Sequence, residues 1–184
     1  MAAASGAHRW VALLRGINVG GHRLVKMPAL RAVFESLGAT DVHTVVQSGN
    51  VVFDHATPER EGTALRHVLQ AGLAKALGFE VPVLLRSAAQ FRKAAAAHPF
   101  AKEAAEPTHA HVYFLDEAPP HPDRAALDQL ASPTERWHLH GDAFYLHAPD
   151  GVGRSKLAAG AEKKLGVPAT ARNQRTVESL LALL

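Results

Sequence analysis

The chain reads as an α+β protein of two subdomains with β-α-β-β-α-β order, the first of them ferredoxin-like. Over residues 1–86, apolar and β-branched runs alternate with stretches of helical periodicity in that order, the split βαβ arrangement. The order returns more loosely over 109–184, with a linker helix inside 87–108. At 184 residues, 47% hydrophobic and 20% charged, the chain is long and apolar enough to bury a sizeable core.

Each element has a local reason. Residues 9–15 hold an apolar run for a buried first strand, and Leu30, Val33, Phe34 and Leu37 recur at helical spacing before Gly38. Pro28 suits a first helical turn, with Met27 at the cap. Val42–Val46 and Val51–Phe53 flank Gln47-Ser48-Gly49-Asn50, a hairpin signal. Leu65, Val68, Leu69, Leu73 and Leu77 mark a second helix, capped by Thr57 or Thr63 and stopped by Gly78, and 79–86 a further strand. Ser87 and Gln90 have capping-box spacing for the linker helix. In the second half a strand is expected over 109–116 and a helix over 122–131. A hairpin around Gly141-Asp142 follows, then a helix from Ser155 to Leu165, an extended piece over 167–173 and a last helix over 176–183. Topology repeats between the halves; no residue-level repetition is evident.

Composition narrows the function classes. With no cysteine there are no disulfides, thiol nucleophiles or thiolate-bound metals, which fits a reducing compartment. The first eight residues are small and polar rather than a signal peptide, and no apolar run is long enough to span a bilayer. A cytoplasmic protein without a membrane partner is expected. Net charge of +3 and a pI near 9.4 favour anionic partners mildly.

Three polar or glycine-rich blocks are candidate sites. In Arg15-Gly16-Ile17-Asn18-Val19-Gly20-Gly21-His22-Arg23 a glycine loop lies between a strand and a helix start, with Lys26 just beyond. Glycines and asparagine tolerate positive φ, and helix N-termini attract anions. Gly151-Val152-Gly153-Arg154-Ser155-Lys156 is a second loop in which Ser155 suits a cap; it fails Walker A spacing. The first loop likewise fails the dinucleotide fingerprint. In the third block, Arg172 and Asn173 precede the last helix, with Asn173 or Thr176 as its cap. Ser48 is not in a nucleophile elbow, and no catalytic residue is identified. In an ideal split βαβ sheet the first loop and the central hairpin are expected at opposite ends, so residues 15–21 and 47–50 should not share a pocket.

Strand alternation in the second half places His109, His111 and Tyr113 on one face of their strand, and His138, His140, Tyr145 and His147 opposite Trp137, Leu139, Phe144 and Leu146. One sheet face rich in His and Tyr is expected, which would suit RNA stacking if open. The His pairs lack an evident third ligand, so no metal site is assigned.

Leu13-Leu14-Arg15-Gly16-Ile17-Asn18-Val19-Gly20-Gly21, Gln47-Ser48-Gly49-Asn50-Val51-Val52-Phe53, Gly153-x-Ser155-Lys156-Leu157 and Thr170-Ala171-Arg172-Asn173-x-x-Thr176 together resemble the bacterial domain-of-unknown-function family 1697 (DUF1697). The resemblance covers nearly the whole chain, and implies a two-part α+β fold with a ferredoxin-like first part. It implies no activity or cofactor. Family members commonly carry tryptophan where Gln174 stands.

The expected function is binding of an anionic small ligand, such as a nucleotide or phosphorylated metabolite. Arg15, Asn18, Gly20, Gly21 and Lys26 form the primary site, and Arg154, Ser155, Lys156, Arg172 and Asn173 contribute from the second half. The alternatives are a non-catalytic interaction protein, binding RNA through an open sheet face, and motifs that serve the fold alone.

Overall fold

In the computed structural model, which describes residues 6–21 and 23–184, the chain forms two compact units. One runs to Lys93 and includes Ser179–Leu184; the other is Ala94–Glu178. The readings made for residues 1–5 and for His22 lie outside the described residues.

The first unit has β1 (His8–Leu14), α1 (Met27–Ser36), β2 (Thr40–Val45), β3 (Asn50–His55), α2 (Gly62–Leu77) and β4 (Val83–Ser87), followed by α3 (Ala88–Ala96). Its antiparallel sheet has the order β2-β3-β1-β4, the ferredoxin-like arrangement. Trp10, Ala12 and Leu14 of β1 face α1 and α2, packing with Val51, Phe53, Val83, Leu85, Leu30, Phe34, Leu69 and Leu73. Val11, Leu13, Val52 and Leu84, on the other face, are also buried. The C-terminus belongs here because the Arg9 guanidinium donates to the Leu183 carbonyl from Nε and Nη2, at 3.1 and 2.9 Å. Neither Thr57 nor Thr63 caps α2; a 3-10 turn at Glu59–Glu61 leads into it instead. Ser87 and Gln90 do form the reciprocal capping pair at α3.

The second unit repeats the plan with β5 (Ala110–Leu115), α4 (Arg124–Leu130), β6 (Arg136–His140), β7 (Ala143–His147), α5 (Lys156–Leu165), β8 (Ala169–Asn173) and α6 (Gln174–Leu181). Its sheet order, β6-β7-β5-β8, is that of the first unit, so both units are ferredoxin-like. The correspondence reaches single residues. Leu14 N donates to Gly49 O (2.7 Å) and Arg15 N to Pro82 O (3.0 Å); Leu115 N donates to Asp142 O (2.9 Å) and Asp116 N to Pro168 O (3.0 Å). In α2, Leu69, Leu73 and Leu77 precede a left-handed Gly78; in α5, Leu157, Ala161 and Leu165 precede a left-handed Gly166. Six residues before each cap stands a glycine against a leucine of the preceding helix end: a Cβ on Gly72 would meet Leu37 Cδ1 at 2.5 Å, and one on Gly160 would meet Leu130 Cδ1 at 2.7 Å. Repetition at residue level is therefore present, contrary to the reading of the sequence.

The expected His/Tyr face is not formed. Register pairs Tyr113 with Phe144 and Val112 with Tyr145, so the two tyrosines point to opposite faces. His111 and Tyr113 lie on the face that carries Phe144 and Leu146, while His138, Tyr145 and His147 lie on the other. Both tyrosines are buried, and the Tyr145 hydroxyl donates to Ala94 O at 2.7 Å.

Candidate functional site

The first glycine loop and the central hairpin meet at one end of the first unit. Because β1 and β3 are antiparallel neighbours, with Leu13 opposite Asn50, the end of β1 adjoins the start of β3. The expectation that residues 15–21 and 47–50 lie at opposite ends is therefore corrected: strand direction alone brings them together. Asn18 joins them. Its Nδ2 donates to Val25 O (3.0 Å) and Gln47 O (2.7 Å), and its Oδ1 accepts from Val25 N (2.8 Å). Asn18 N also donates to Arg23 O at 3.2 Å, and Asn18 holds φ +54°, a conformation asparagine tolerates better than most residues.

Beneath this clip, Ile17 is fully buried and Gly49 lets it approach. A Cβ on Gly49, whose φ is +83°, would stand 2.7 Å from Ile17 Cδ1 and 2.8 Å from Leu14 Cβ. Buried Asn50 donates from Nδ2 to Val45 O (2.9 Å) and Ser48 Oγ (3.1 Å), closing the hairpin turn. The distinctive residues Ile17, Asn18, Gly49 and Asn50 thus build a fixed platform.

On that platform, Arg15, Gly20, Gly21, Arg23 and Lys26 are exposed. Gly20 and Gly21 have φ of +60° and +76°. The Arg23 guanidinium lies over the Phe79 ring, 5.6 Å from its centroid. No Asp or Glu occurs over residues 15–34 or 42–53. Lys26, rather than Met27, is the N-cap of α1; it has extended dihedrals (φ −73°, ψ 135°) and its side chain makes no cap bond. At such a start the N–H groups of Met27 and Ala29 have no intrahelical acceptor.

The second unit gives the comparison. Where the first has Arg15 it has Asp116, and where the first has Lys26 it has Asp123, whose carboxylate accepts from Ala126 N at 3.0 Å. The frame accommodates acids at both positions, so the cations are not a requirement of the fold.

The remaining candidates belong to the second unit, at the end where β5 begins: register sets Ala110 beside His147 and His111 beside Asn173. They are at the opposite end of their sheet from Asp116. Ser155 is buried and caps α5 by accepting from Ala158 N (2.8 Å), with Arg154 and Lys156 exposed on either side. Asn173, not Thr176, caps α6 through Oδ1, which accepts from Thr176 N (3.0 Å). Half-buried Arg172 donates from Nη1 to Ala171 O (2.8 Å), and desolvation lowers its pKa to about 10, leaving it charged at neutral pH. Arg23 was passed over as a site residue in the sequence, although it stands in the same loop as Arg15.

Elsewhere in the second unit, a cleft of about 500 Å³ is lined by Phe100, Arg124, Asp128, Trp137 and His138 among others. Two of its polar pairs are engaged: Trp137 Nε1 donates to Asp128, and Arg136 pairs with Glu103. Among the described residues, no group of three or more His, Asp or Glu is placed to hold a metal ion, and no helix is long and apolar enough to cross a membrane.

Among curated proteins none matches this sequence. A solved structure, that of the conserved bacterial protein SP0830 from Streptococcus pneumoniae, is similar over 96% of this chain and 98% of its own, with a TM-score of 0.68 at 22% identity. That likeness concerns the fold. The family model described as a protein of unknown function, DUF1697, matches residues 7–145, which include the loop and hairpin that Asn18 ties together. The chain belongs to the DUF1697 family.

Proposed function

We propose that the protein binds a phosphate-bearing ligand at the end of its first unit. The observation that carries this reading is the pair of charge reversals between equivalent positions, Arg15 against Asp116 and Lys26 against Asp123. The second unit shows what the frame does with these positions when stability alone is served: an aspartate caps the helix. The first unit puts a lysine there and leaves the helix start to an outside acceptor. An anion seated at α1 would accept from the Met27 and Ala29 amides, while Lys26, Arg23 and Arg15 neutralise it. Gly20 and Gly21 allow close approach to the backbone. The Asn18 clip holds the loop in place before binding, which limits the ordering cost. A cytoplasmic setting fits the absence of cysteine. Asn18 acts here as a positioning residue, and the second-unit residues Arg154, Ser155, Lys156, Arg172 and Asn173 are left outside the site.

The test is thermal unfolding with inorganic phosphate, nucleotides and sugar phosphates, for wild type, Arg15→Ala and Lys26→Ala. A ligand at about 100 times its Kd stabilises the fold by about 2.7 kcal/mol. A rise in Tm for wild type that shrinks in both variants supports the reading. No rise with any phosphate compound, or a rise unchanged in Lys26→Ala, overturns it.

A further inference from the structure

Among the described residues, four large hydrophobic side chains stand out as exposed: Val19, Leu24, Val46 and Val68, at 64, 74, 55 and 51%. The first three are gathered at one place. Val19 follows Asn18 itself, Leu24 precedes Val25, and Val46 precedes Gln47, and the Asn18 amide bonds both Val25 and Gln47. Each is therefore next in sequence to a group held by one side chain. Burial explains none of them, and Val46 is held outward at φ +49°, unfavourable for a β-branched residue. Exposed Arg15, Arg23 and Lys26 share the loop with Val19 and Leu24, and no Asp or Glu occurs over residues 15–34 or 42–53. Glu80, beside the Phe79 ring that Arg23 covers, is an acid at the β4 side of this end.

We infer that this tip docks on an anionic phospholipid surface, with Val19, Leu24 and Val46 entering the interface and Arg15, Arg23 and Lys26 meeting the lipid phosphates. The inference rests on the anion-binding reading of the same loop and names its partner. Charge complementarity selects an anionic occupant, and the aliphatic anchors select one with an apolar layer behind its charges. Free phosphate offers no such layer. Exposed residues at Val19–Gly21 and at Arg23–Leu24 open the tip to solvent, which suits a deformable sheet of lipid better than a rigid partner's groove. Docking of this kind needs no spanning helix: basic residues at the surface and a few buried apolar groups supply the affinity.

The experiment is co-sedimentation of the full chain with phosphatidylcholine vesicles, with and without phosphatidylglycerol. Binding is expected only with phosphatidylglycerol, and should weaken as salt is raised. Removing one cation should weaken it about five-fold, so Arg23→Ala with Lys26→Ala should lose about 25-fold. Val19→Ser with Leu24→Ser should abolish vesicle binding while leaving the Tm rise with inorganic phosphate unchanged. Val19→Trp gives a direct readout: its fluorescence should shift to the blue on adding phosphatidylglycerol vesicles. Phosphate stabilisation without vesicle binding, or vesicle binding untouched by the serine pair, overturns this inference and leaves the anion site standing. Loss of both phosphate and vesicle responses in wild type overturns both.

Discussion

Replacing Lys26 by aspartate should stabilise the protein. Lys26 already has the extended backbone that an N-cap requires, and Ala29 N stands at the position that Ala126 N occupies relative to Asp123. A carboxylate there would gain the hydrogen bond its second-unit counterpart makes, worth about 1 kcal/mol. Exchanging a cation for an anion at the positive end of α1 adds a further few tenths to 1 kcal/mol. Together these give about 1–2 kcal/mol, read as a rise in the urea midpoint of about 1 M with the slope unchanged. The same variant should lose its stabilisation by inorganic phosphate, since an internal acceptor then fills the place of the ligand. Asp123→Ala is the matched control and should destabilise by about 1 kcal/mol. A Lys26→Asp protein less stable than wild type would refute the reasoning, because Lys26 would then be serving the fold.

Three further outcomes follow from the packing. Asn18→Ala removes three side-chain hydrogen bonds and leaves a Cβ-only residue in the left-handed region; about 2–4 kcal/mol should be lost in urea unfolding, with Asn18→Gly recovering about 1 kcal/mol of it. Gly49→Ala should cost about 2–4 kcal/mol by the same assay, through positive φ and overlap with Leu14 and Ile17. Burial, chiefly, depresses His98 to about 4, with His111 and His147 adding to it; its Nδ1 accepts from Phe100 N while its buried Nε2 has no partner. A folded-state pKa below the unfolded one means that the unfolded chain binds the proton more readily. Stability from this residue is complete above about pH 6.5 and falls, by at most about 3 kcal/mol, as pH drops towards 4. His98→Gln, which does not titrate, should flatten the fall measured by urea unfolding across that range.

The element order was legible because most boundaries carry local chemistry: Gly78 and Gly166 adopt the left-handed cap, Ser155 caps α5, and Ser87 with Gln90 caps α3. The first loop was legible as a site candidate for the same reason, since its glycines and cations are adjacent in sequence. Which face of β5 meets which face of β7 was not. Every residue of both strands is buried, so alternation of polarity carries no information about the side on which Tyr113 or Tyr145 lies, and register decides it. The meeting of Asn18 with Gln47 was hidden differently. It depends on strand direction, which no side chain announces, and on an asparagine amide that bonds backbone carbonyls, acceptors every residue possesses.

The repeated frame has a consequence for how such a chain tolerates change. In a protein with one copy of a loop, leaving a helix start without its own acceptor burdens the whole structure with that loss. Here the conventional arrangement survives at Asp116 and Asp123 while Arg15 and Lys26 depart from it. The loss is confined to one half, and the other keeps an internal solution to the same geometric problem. Lys26→Asp alone would return the first helix start to that solution while keeping the Asn18 clip and the buried Ile17 beneath it.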